Sequence, residues 1–62
     1  MPIRSPIKYI IHTGMNAYRE NRFVEAIECF NTILQTDPHN YDAIMYKGLA
    51  QWKMIQYNMF GH

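Results

Sequence analysis

The sequence predicts an all-α protein: an antiparallel hairpin of two helices followed by a third, long helix. Three observations carry this. From Phe23 to Thr36 the apolar residues Phe23, Ala26, Ile27, Phe30, Ile33 and Leu34 fall at i, i+3, i+4, i+7, i+10 and i+11. That is one face of a helix, and no strand pattern competes with it. Turn residues gather at two interior places, Glu20-Asn21-Arg22 and Asp37-Pro38-His39-Asn40, and connections this short make consecutive helices antiparallel neighbours. Finally, residues of matching class recur at a fixed interval on either side of that central helix.

In chain order, residues 1–6 read as a short N-terminal arm. Ser5-Pro6 is a helix start, since serine can cap free N–H groups and proline suits the first helical position. Ile7, Ile10, Ile11, Gly14, Met15, Ala17 and Tyr18 then mark one side of the first helix, with Lys8, His12, Asn16 and Arg19 on the other. Asn21 is a candidate cap for the second helix. Glu25, Glu28, Asn31, Thr32 and Gln35 give that helix its wet face. Asp37-Pro38 ends it, because proline pushes the preceding residue out of the helical region. Asn40 is placed to cap the third helix, with Asp42 in its first turn, where the helix dipole favours an anion. Tyr41, Ile44, Met45, Gly48, Leu49, Trp52, Ile55, Gln56 and Met59 continue the helical pattern. No turn residue interrupts Tyr41 to Phe60, so this helix is expected to be unusually long, with Gly61 as its C-cap.

The recurrence has a period of 34. Gly48 follows Gly14 at that interval, and Ile10, Ile11, Met15, Tyr18, Arg19 and Phe23 map onto Ile44, Met45, Leu49, Trp52, Lys53 and Tyr57. Glycine inside a helix costs about 1 kcal/mol relative to alanine, and close approach of a neighbouring helix is the natural compensation.

At 62 residues, 48% of them hydrophobic, the chain is too apolar for disorder and small enough to be marginal alone. Its single cysteine, Cys29, excludes an internal disulfide, and one Cys with His12, His39 and His62 offers no zinc spacing. Such a chain must bury its apolar surface against itself, a copy or a partner. Residues 1–22 hold four basic residues against one acidic, and residues 23–62 two against four. An acid-free basic start can belong to a mitochondrial transit segment, but the same residues fit a folded helix. The expected location is therefore intracellular, in the cytoplasm. No apolar run reaches the ~20 residues of a membrane span.

A 34-residue helix–turn–helix unit resembles the tetratricopeptide repeat (TPR) family. Phe23, Ala26, Phe30, Ile33 and Pro38 stand where that family carries its signature residues. Glu25-Ala26-Ile27-Glu28 and Asp37-Pro38-His39-Asn40 also read like its consensus. Gly14 and Ile10 match in the first helix, whereas Thr13 and Ala17 depart from the family's Leu and Tyr, the aromatic being displaced to Tyr18. The resemblance implies a right-handed helical repeat: one complete unit over residues 7–40, then residues 41–62 as the first helix of a second, incomplete unit and a tail. Arrays of this kind usually need about three repeats. The resemblance thus casts the chain as a fragment, a truncated product or a subunit that something else completes.

Nothing in the sequence assembles a catalytic site. His12 belongs to a polar helix face and His39 to a turn, where solvated histidine is the plain reading. Cys29 flanks an apolar face, where packing is the plain reading. A small His/Cys-dependent enzyme or metal protein is the remote alternative, and no cofactor is expected. The basic residues are too few, and the charge too balanced, for nucleic acid. The sequence instead points to a non-catalytic interaction or assembly module. By resemblance, first helices line a groove, here Lys8, Ile11, Met15, Tyr18 and Arg19 with Asp42, Met45, Leu49, Trp52 and Lys53. A lining of methionine, leucine and aromatics suits an apolar helix or segment. Met15, Tyr18, Leu49 and Trp52 could equally pack the first helix on the third. A second candidate surface is the tail, where Trp52, Ile55, Tyr57, Met59 and Phe60 lack a covering helix in a monomer. The expected partner is a protein or a second copy of the chain, the latter through a two-fold pairing of third helices.

Overall fold

The computed structural model describes residues 7–60, so the proposed start at Ser5-Pro6 and the cap at Gly61 lie outside the described residues. The described residues form three helices: α1 (Ile7–Arg19), α2 (Phe23–Thr36) and α3 (Tyr41–Phe60). α2 lies between the other two, and α1 touches α3 only over a short stretch. The fold is all-α, as the periodicity predicts.

The first turn differs from expectation at one residue. Asn21 does not cap α2; it adopts a left-handed conformation with φ 66° and closes α1. The Arg22 N–H reaches the Ala17 carbonyl at 2.8 Å and the Asn21 N–H reaches Tyr18 at 3.1 Å. These are the two bonds of a Schellman ending, in which asparagine can replace the usual glycine. Arg22 occupies the N-cap of α2 without a side-chain cap bond. Its guanidinium pairs instead with Glu20 at 2.7 Å and with Glu25. These ion pairs are exposed, so they fix the turn's geometry more than they stabilise the fold.

The second turn follows expectation. Asp37 leaves the helical region at φ −133°, ψ 81°, as the residue before Pro38 must. The Asn40 side-chain oxygen accepts the Ala43 N–H at 2.9 Å, and its side-chain amide donates to the Asp37 carboxylate at 3.3 Å. Asn40 therefore ties the end of α2 to the start of α3. Asn40→Ala should cost about 1 kcal/mol and lower the thermal midpoint measured by circular dichroism. An unchanged midpoint would rule out this cap as a stabilising contact.

The core is the buried set Ala17, Phe23, Ala26, Phe30, Ile33, Ala43 and Ala50. Its two phenylalanines and the tyrosines around them make a continuous chain of rings through all three helices. Tyr57 meets Phe23 at 6.0 Å, Phe23 meets Tyr18 at 6.1 Å, Tyr18 meets Tyr46 at 6.2 Å, and Tyr46 stacks on Phe30 at 5.9 Å. The first three contacts are edge-on and all four lie within the favourable range for ring pairs. Small residues let the helices close around this chain. Gly14 is buried, and a Cβ there would sit 2.8 Å from two carbons of the Phe30 ring.

Candidate interaction surface

α3 is apolar on two sides. Ala43, Tyr46, Ala50, Met54 and Tyr57 step by three or four residues along the side that meets α2. Tyr41, Met45, Gly48, Trp52, Ile55 and Met59 step by four, three, four, three and four residues along the other. At 3.6 residues per turn the two stripes lie roughly 170° apart. The second stripe is uncovered: Tyr41 is 73% exposed, Trp52 54% and Met59 67%. Ile44 and Leu49 are exposed beside it.

This corrects the sequence reading of α3. The face marked by Tyr41, Ile44, Met45, Gly48, Leu49, Trp52, Ile55 and Met59 continues the helical pattern, yet it is not the face that packs on α2. Nor does Gly48 have a neighbouring helix to compensate it. A Cβ at Gly14 would collide with Phe30, whereas one at Gly48 would meet nothing within 4 Å. Leu49 and Trp52 do not pack α1 onto α3; Tyr46 reaches Tyr18 instead. The signal for the packed face was the pair of alanines seven residues apart, Ala43 and Ala50, both fully buried. Small side chains on consecutive turns permit close helix approach, and hydrophobicity alone does not flag them.

The ten expected contact residues therefore separate into two groups. Ile11, Met15 and Tyr18 are half-buried and packed against the core. Met45, Leu49, Trp52, Lys53, Ile55, Met59 and Phe60 remain exposed on α3. Of the tail, Tyr57 turns inward to Phe23, and the rest is open. Lys53 and Phe60 rim a shallow concavity with Asn21, Phe23, Gln56 and Tyr57.

A wider cleft, about 470 Å³, lies between α1 and α2 and is lined by Tyr9, Ile10, Thr13, Glu25, Glu28, Cys29 and Thr32. Periodicity does not point to it, because apart from Ile10 its lining residues lie outside the apolar stripes of the two helices. Cys29 is half-buried there. Burial raises its thiol pKa, and the nearby Glu25 and Glu28 carboxylates raise it further. A thiol held protonated at neutral pH is a poor nucleophile. His12 and His39 are both exposed, on α1 and in the second turn. Among the described residues no three His, Cys, Asp or Glu side chains gather as a metal site. No described helix is long and apolar enough to cross a membrane. No family model, characterised protein or solved structure matches the chain.

Proposed function

We propose that the chain is a non-catalytic protein-interaction or assembly module of the TPR type, and that it takes an apolar helix along the free face of α3. One observation carries this reading: an apolar stripe some five turns long, opposite the packed face, with a side-chain-free notch at Gly48. A stripe of six apolar positions with no charge in it is larger than the scattered exposed hydrophobics of ordinary surfaces. Anchors spaced three and four apart are what helix-in-groove recognition uses. The TPR assignment is supported by the 34-residue recurrence, the antiparallel hairpin and the close contact of Gly14 with Phe30.

Titration with a synthetic amphipathic helix bearing one continuous Leu/Ile face tests the surface, with Trp52 emission as the readout. Trp52 is half exposed, so coverage should shift its emission to the blue. Leu49→Ala should weaken binding about 10-fold, and Trp52→Ala, followed by calorimetry, about 30-fold. Unchanged affinity in both variants would move the docking site to the cleft between α1 and α2.

A further inference from the structure

The free stripe of α3 has the form of one half of a coiled-coil seam. Its six positions alternate in steps of four and three, the a and d pattern of a heptad, over nearly three heptads. The side-chain sizes along it are uneven. Gly48 leaves a hole, and Trp52, one step further on, is the largest side chain in the chain. Any partner helix must fill the hole and accept the tryptophan.

We infer that the occupant is α3 of a second copy, running antiparallel, with Trp52 of each copy seated over Gly48 of the other. This rests on reading the free face of α3 as a docking surface. In an antiparallel pair with a two-fold axis at the level of residue 50, Trp52 faces Gly48 twice, Met45 faces Ile55 twice, and Tyr41 faces Met59 twice. All six positions find partners in one register. Trp52 opposes glycine, Tyr41 opposes methionine, and Met45 and Ile55 are similar in size, as close packing of facing positions requires. A parallel pair would set Gly48 against Gly48 and Trp52 against Trp52, leaving a void beside an overfilled layer.

Area agrees with this arrangement, and charge permits it. The stripe itself is uncharged. In antiparallel pairing each flank meets its own counterpart, which brings Asp42 near Gln56 and Leu49 near Leu49, with no like charges opposed. Lys53 of one copy lies about 7.5 Å along the axis from Asp42 of the other and about 9 Å from its Lys53, so the flank charges roughly offset and the seam sets the pairing. From the exposed fractions of the seam residues, Ile44 and Leu49, pairing could cover at most roughly 700 Å² per copy, which reaches the lower part of the range of stable interfaces. The α1–α2 hairpin sits on the opposite side of α3 and leaves the approach clear. Because the contact is isologous, it closes at two copies.

Sedimentation equilibrium of the full chain over a wide concentration series is the direct experiment, with a dimer expected. Gly48→Leu fills the hole, and its Cβ would meet nothing within 4 Å in its own copy. It should raise the dimer dissociation constant about 100-fold or more, since each dimer contains the contact twice, with helicity unchanged. Trp52→Gly alone should do the same. The exchange Gly48→Trp with Trp52→Gly rebuilds the contact in reverse, so dimerisation should return to within about 10-fold of the parent. Orientation is read by mixing two Cys29→Ser chains, one with Tyr41→Cys and one with Met59→Cys. Antiparallel pairing gives the mixed disulfide, and predominance of the two like disulfides would overturn it. A chain that stays monomeric, or a Gly48→Leu variant that dimerises as tightly as the parent, would also overturn the inference. A monomeric chain that still binds the synthetic helix leaves the docking function standing; one that does not bind removes that reading as well.

Discussion

Phe30→Ala is expected to abolish the cooperative fold. Phe30 is fully buried in the middle of α2. One side of its ring lies against the backbone of α1 at Gly14, and Tyr46 of α3 stacks on it at 5.9 Å with the planes 21° apart. Like Phe23, which meets Tyr18 and Tyr57, it lets α2 hold both neighbours at once. Truncating a buried phenylalanine costs about 3–5 kcal/mol. A chain of this length is marginal, toward the low end of the roughly 3–9 kcal/mol that the usual stability per residue gives. The variant should therefore show reduced helicity and no sigmoidal melt by circular dichroism. A cooperative melt within a few degrees of the parent would mean that the three helices do not depend on this contact.

The second large effect is a difference in sign between two glycines that the sequence makes equivalent. Gly14→Ala and Gly48→Ala both replace a helical glycine, and each gains about 1 kcal/mol in helix propensity. At Gly14 the added methyl would stand 2.8 Å from Phe30 Cε1 and Cζ and 3.2 Å from Cys29 Cβ. Phe30 is fully buried with Tyr46 stacked on it, so α1 must back away from α2. Overpacking of this kind costs about 1–3 kcal/mol, so a net loss of up to about 2 kcal/mol remains after the propensity gain. At Gly48 an added Cβ would meet nothing within 4 Å beyond its own turn of helix, so the propensity gain survives and the monomer should become more stable. Urea denaturation at concentrations low enough to keep the chain monomeric would read both values. Equal shifts of the same sign would contradict the packing around Gly14. In the paired state Gly48→Ala should have the opposite consequence, because its methyl intrudes on the space assigned to Trp52.

Much of the fold was legible because its signals are local. The stripe Phe23, Ala26, Phe30 and Ile33 is buried as the periodicity requires. Pro38 displaces Asp37 from the helix, and Asn40 caps α3 with its own side chain. Asn21 was assigned to the wrong side of its turn. Asparagine serves both as an N-cap and as the left-handed residue after a helix, and only the backbone path decides between the two. The candidate site was legible in part. Met45, Leu49, Trp52, Ile55, Met59 and Phe60 are exposed apolar residues on one helix, but Ile11, Met15 and Tyr18 are half-buried against the core on another.

The sequence by itself determined three helices, the two turns between them, the buried face of α2 and the presence of apolar surface in excess of what one small core uses. Each follows from spacing and turn chemistry over a few consecutive residues. Only the tertiary structure decided which side of α3 faces inward. Two stripes on that helix satisfy helical periodicity, and the larger, more apolar one would win on hydrophobicity alone. The smaller one packs because Ala43 and Ala50 let α3 close onto α2, while Tyr46 and Tyr57 reach Phe30 and Phe23. Shape complementarity across a helix contact outweighs the extra apolar area, and it leaves the larger stripe, with Gly48 and Trp52 on it, facing outward.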